Sequence, residues 1–135
     1  MKRLILALCV SVVACGPDLP TGGGPSFAGT YCLKSHNGQL LPTMMGDVEL
    51  INGYLRLFNG ESGGLQYEDE AQVRENGVDS TINLLGAPGL VTFETSQTLR
   101  FGAQGRAEIV GDSLVLERLP AGADTWTYRL GGFCE

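Results

Sequence analysis

The chain has 135 residues, with 15 acidic side chains against nine basic ones and a single histidine, for a formal charge of −6. That balance excludes the broad cationic face that phosphate backbones require, so nucleic acid is not an expected partner. Past the first 14 residues no stretch of a dozen keeps an apolar stripe at three-and-four spacing, which sets helical folds aside.

Lys2 and Arg3 open the chain, an apolar run follows from Leu4 to Val13, and Ala14 stands before Cys15. This order is that of a secretory signal, residues 1–14, and its apolar run is half the roughly 20 residues that a bilayer-spanning helix needs. Ordinary cleavage at a small residue would leave Cys15 as a thiol, whereas lipidation would make it the anchored N-terminus. Lipidation is the expectation adopted, because "GPDLPTGGGPS" comes next, with three prolines, four glycines and almost no apolar side chain. Such a segment cannot fold alone and reads, with Cys15, as a tether over residues 15–26. Loss of Lys2 and Arg3 with the signal leaves seven basic residues against 15 acidic, a charge of −8.

Residues 27–135 are then one domain of roughly 110 residues with one core. Asn-Gly occurs at 37–38, 52–53, 59–60 and 76–77, and Gly111-Asp112 stands between "AEIV" and "SLVLE". Each is expected to be a tight turn, because these residues tolerate the positive φ that hairpins demand. Between them lie short alternating runs. "LRLF", "LRF" and "WTYRL" each put apolar residues on one face and Arg or Thr on the other.

"LQYEDEAQVR" alternates too, except that Asp69 falls on the apolar side. An unpaired inward carboxylate is costly, so Asp69 is read as marking a bulge or a solvated rim; the alternative is that it meets an arginine or water inside an open mouth. Counting runs gives about eight to ten short strands in an antiparallel up-and-down meander, which closes into a small barrel to remove its edges. Closure would set the first and last strands side by side, where Cys32 and Cys134 lie, and a disulfide between them suits an oxidising compartment. One difficulty is parity, since Cys32 alternates with Tyr31 and Leu33 while Cys134 shares the side of Trp126 and Tyr128.

Nothing in the sequence assembles catalysis. His36 reads as an exposed turn residue, no Gly-x-Ser-x-Gly is present, and one histidine with two paired cysteines falls short of a zinc site. No metal and no cofactor are implied. The interior is expected to be filled by Tyr31, Leu57, Phe93, Phe101, Leu116, Trp126 and Tyr128, leaving a shallow mouth where Tyr67, Asp69 and Arg100 are the candidate binding residues.

"GTYCLKSHNGQLLP", residues 29–42, resembles the opening of a family of small bacterial lipocalin-like lipoproteins, and "GYLRL", "GDSLVLE" and the final "TYR" continue the likeness. "VVAC" likewise resembles the lipobox of bacterial lipoproteins, in which the cysteine carries a diacylglyceryl group. The resemblances imply a lipocalin-like barrel anchored in the cell envelope, and Gly16 in place of an aspartate after the cysteine implies the outer membrane. A small apolar ligand or a protein partner would be bound by a monomer without catalysis. "ESGGLQYEDE" also resembles, with one residue too many, the Ser-Gly-x-x-Tyr loop of lipid-anchored inhibitors of c-type lysozyme through Ser62, Gly63 and Tyr67.

Overall fold

The computed structural model describes residues 27–120, 124–131 and 133–135. The expected signal, Cys15 and tether lie outside the described residues. Within them the chain is all-β, with twelve strands and no helix. The long ones are β1 (Gly29–His36), β4 (Val48–Asn59), β5 (Leu65–Glu75), β6 (Val78–Ile82), β9 (Thr98–Phe101), β10 (Gly105–Val110), β11 (Ser113–Arg118) and β12 (Thr125–Leu130). Four pieces of two or three residues raise the count above the eight to ten expected. They are β2 (Gln39–Leu40), β3 (Thr43–Met45), β7 (Gly89–Leu90) and β8 (Thr92–Phe93).

All pairings are antiparallel, and neighbours run in the order β6, β5, β4, β1, β12, β11, β10, β9, β8. The sheet curls as a half-barrel around one core. Its first strand lies against its last, Tyr31 opposite Leu130 and Leu33 opposite Tyr128. At the margins, Gly89 and Leu90 pair with β5 while Thr92 and Phe93, two residues on, pair with β9. Between the two pairs, the Val91 amide donates to the Leu65 carbonyl at 2.8 Å.

The alternation in each strand decides what is buried. Leu55 and Leu57 in β4, Leu99 and Phe101 in β9, Leu114 and Leu116 in β11, and Trp126 and Tyr128 in β12 are buried, with Arg56, Arg100, Val115 and Thr127 between them turned outward. Phe93 departs from expectation. It sits at the margin in a two-residue strand and is 54% exposed.

Two of the Asn-Gly pairs make the expected turns: Asn37-Gly38 and Asn76-Gly77 both hold positive φ on both residues. Asn52-Gly53 does not turn. It lies inside β4 opposite Gln72 and Ala71, next to a register shift between Leu50 and Asn52. There glycine answers a different need, because a Cβ on Gly53 would stand 2.8 Å from the Glu70 carbonyl oxygen.

Cys32 and Cys134 form a disulfide with a Cα–Cα distance of 5.1 Å. Parity is no obstacle, since Cys134 lies beyond β12. The tail turns back over the outer face of β1, sharing a cleft with the outward residues Thr30, Tyr54, Arg56 and Glu68, and so covers the outward Cys32.

Candidate functional site

Asp69 is neither at a bulge nor at a rim. Register between β4 and β5 runs without a break from Asn52–Gln72 to Asn59–Leu65, with Asp69 opposite Leu55, and the bulge of this pair lies in β4 at Ile51 instead. The carboxylate points into the core and is 3% exposed. What meets it is backbone. Beyond β6 the chain leaves the ladder and turns inward, burying Leu84 and Leu85. Their amides both donate to Asp69 Oδ2, Leu84 at 2.5 Å and Leu85 at 3.1 Å, and the Asn83 side-chain amide donates to the Asp69 carbonyl.

The physical logic is that buried backbone must find partners once it leaves the sheet, and here one carboxylate oxygen supplies two. Burial raises the Asp69 pKa, against the lowering effect of the amides of Leu85 and Leu84. Among the described residues its other oxygen, Oδ1, finds no hydrogen-bond partner, nor do the buried Tyr128 hydroxyl and Trp126 Nε1. Burial also raises the Tyr128 and Tyr67 phenols, and the Asp69 charge pushes both further in the same direction. Asp69, Tyr67 and Tyr128 are thus buried polar side chains of an otherwise apolar core.

Tyr67 and Asp69 share that interior, but Arg100 does not join them. Arg100 projects from the outer face of β9, where it and Arg106 hold Glu94 at 3.0 and 2.6 Å. Those two guanidiniums keep the Glu94 carboxyl below its ordinary range. The three candidate binding residues therefore stand on opposite sides of the sheet. Tyr67 also contacts Phe101 edge to face at 5.0 Å, so the loop carrying Ser62 and Gly63 does not present it to a partner.

His36 is buried, contrary to the expected exposed turn residue. It stacks on Trp126 at 5.8 Å, and its Nε2 lies 2.9 Å from Asp124 Oδ1. Asn37 adds three bonds between the same loops: its amide donates to the Thr125 carbonyl at 2.7 Å, its side-chain oxygen accepts from the Thr125 amide at 2.8 Å, and its side-chain nitrogen donates to Asp124 Oδ1 at 3.3 Å. The group fastens the β1–β2 turn to the loop before β12. Sequence reasoning missed both this pair and the inward segment at Leu84-Leu85, because their partners lie 88 and 15 residues away.

Among the described residues no three His, Cys, Asp or Glu side chains stand together as metal ligands. Clefts open on the outer face, one of ≈250 Å³ bordered by Thr98, Arg106, Glu108, Val115 and Thr125. No protein family, no curated protein and no solved structure matches the chain.

Proposed function

We propose that this chain is a lipid-anchored, non-catalytic protein of the bacterial cell envelope, of lipocalin-like type, that acts through its outer surface as a docking module for a protein partner. The observation that carries this reading is the filling of the interior. Trp126, Tyr128, Phe101 and seven leucines are under 2% exposed, and Leu85, one of the seven, comes from a segment turned inward for that purpose. A small eight-strand barrel is either packed by its own side chains or holds one small molecule, and these side chains take the space a guest would need.

Closure of the half-barrel into a full barrel belongs to the same reading. Residues 89–93 bond to β5 at one end and β9 at the other, which is how a single strand would seal the two margins. Anchoring through Cys15, outer-membrane residence and a monomeric state are proposed on the opening residues and the tether composition.

Native mass spectrometry of the full chain, purified from a bacterial host in mild detergent, tests the reading. The expected mass is that of the acylated polypeptide beginning at Cys15 and nothing more. A stoichiometric apolar guest that survives purification would replace the docking module with a carrier.

A further inference from the structure

Strand register sorts the loops to two ends of the curled sheet. Gly29 lies opposite Leu57, Leu130 opposite Tyr31, Leu90 opposite Gln66, and Val110 opposite Ser113. Chain entry at Phe27, the β4–β5 loop, residues 90–97, the β10–β11 turn and the exit from β12, before the tail turns back over β1, therefore share one end. Large apolar side chains gather there: Leu90, Phe93, Val110 and Leu130 are each half or more exposed, Phe133 is 95% exposed, and Phe27 packs on Phe93 at 5.6 Å.

Charge at this end is subdued in an otherwise acidic domain. Glu94 is held by Arg100 and Arg106, and Asp112 by Arg129 at 2.8 Å. Glu61 and the exposed Glu108, opposite Thr98, complete its acids, while Glu135 reaches back toward Lys34, Leu40 and Pro42. The opposite end exposes Leu40, Met44 and Val78 as well, but among Asp47, Glu75 and Asp79, of which Arg74 holds only Asp79, at 2.6 Å.

We infer that this end of the domain rests on the bilayer, with Phe27, Leu90, Phe93, Val110, Leu130 and Phe133 entering the headgroup boundary and Arg100, Arg106 and Arg129 within reach of lipid phosphate. The inference rests on the proposed acylation of Cys15. Eleven residues, twelve Cα–Cα steps, separate Cys15 from Phe27, a span of at most about 40 Å extended. An anchored chain thus keeps its entry point close to lipid, and each exposed aromatic or aliphatic side chain meets the interface at high effective concentration. Aromatic residues favour that boundary because an apolar body can be buried beside a hydrated layer. The far end, at Val78, stands about 33 Å away along β5, at roughly 3.3 Å per residue.

Tryptophan reporters in the full lipoprotein, reconstituted into phosphatidylcholine vesicles with or without brominated acyl chains, test the inference. The native Trp126 is fully buried and gives a constant background. Phe93→Trp and Val110→Trp report the near end, and Val78→Trp the far end. Contact with lipid predicts that the two near reporters lose most of their emission to bromine while Trp126 and the far reporter keep theirs. Intact mass and vesicle flotation establish acylation in the same samples. Acylated, floating protein whose near reporters are unquenched, or whose far reporter is quenched equally, overturns the inference and leaves the anchor in place. An unmodified Cys15 with no flotation removes both.

Discussion

Replacing Asp69 separates its two jobs, accepting hydrogen bonds and carrying a charge. In Asp69→Ala the amides of Leu84 and Leu85 lose their acceptor in a dry core, and each orphaned donor costs about 1–3 kcal/mol. The expected loss is about 2–5 kcal/mol, which in a domain near 100 residues lowers Tm by roughly 10–25 °C. In Asp69→Asn the amide oxygen takes the place of Oδ2 and keeps both bonds, the nitrogen takes the place of the unpartnered Oδ1, and the buried charge is gone. Asp69→Asn should therefore be clearly more stable than Asp69→Ala at neutral pH, with its two buried N–H donors offsetting part of the gain from losing the charge.

The pH dependence follows in sign. A carboxyl whose folded pKa is raised binds protons more readily folded than unfolded, so its contribution falls as pH rises from the ordinary aspartate value through the raised one. Asp79, Glu94 and Asp112 are lowered by their arginine partners and do the reverse, losing their contribution as pH falls below the ordinary carboxyl range. Urea unfolding of parent and Asp69→Asn from pH 4 to 8 isolates the first effect as a difference that grows with pH and then levels. If Asp69→Asn is as damaging as Asp69→Ala, or Asp69→Ala is silent, the account of this carboxylate is wrong.

Gly53→Ala drives a methyl against the Glu70 carbonyl and Ala71 and should cost about 1–3 kcal/mol. Gly64→Ala meets only Leu90 at 3.5 Å and should stay within about 0.5 kcal/mol by the same thermal melt. His36→Ala uncovers one face of Trp126 and removes the bond to Asp124, so tryptophan emission should shift to the red with a stability loss of about 1–3 kcal/mol. Unchanged emission would refute the stacking. Replacing both Cys32 and Cys134 by alanine releases a closure of 102 residues and should cost about 4–5 kcal/mol in the chain-entropy view, read by urea unfolding.

Most of the strands were legible because their signal is local. "WTYRL" and "LRLF" carry their own period of two, and Asn37-Gly38 and Asn76-Gly77 carry their own φ requirement. Asn52-Gly53 misled because the same dipeptide serves a turn and a close strand approach, and only the partner strand says which. Asp69 was flagged correctly as a break in pattern, but its explanation lies in a segment whose letters, "NLLGAPG", resemble a strand tail followed by a loop. A buried amide leaves no mark on the sequence. Arg100 differs, because its alternation with Leu99 and Phe101 already sets it on the polar face, and only an open mouth shared by both faces would bring it to Tyr67 and Asp69.

The strand that receives the chain at Phe27 is β1, which lies mid-sheet between β4 and β12 and antiparallel to both. Tension drawn along the preceding segment therefore loads two ladders lengthwise, in shear, so many bonds resist together instead of unzipping singly as they would from β6 or β8. The cystine cross-links the C-terminal tail to this same strand. Mechanical strength is thereby concentrated where an outside pull would arrive.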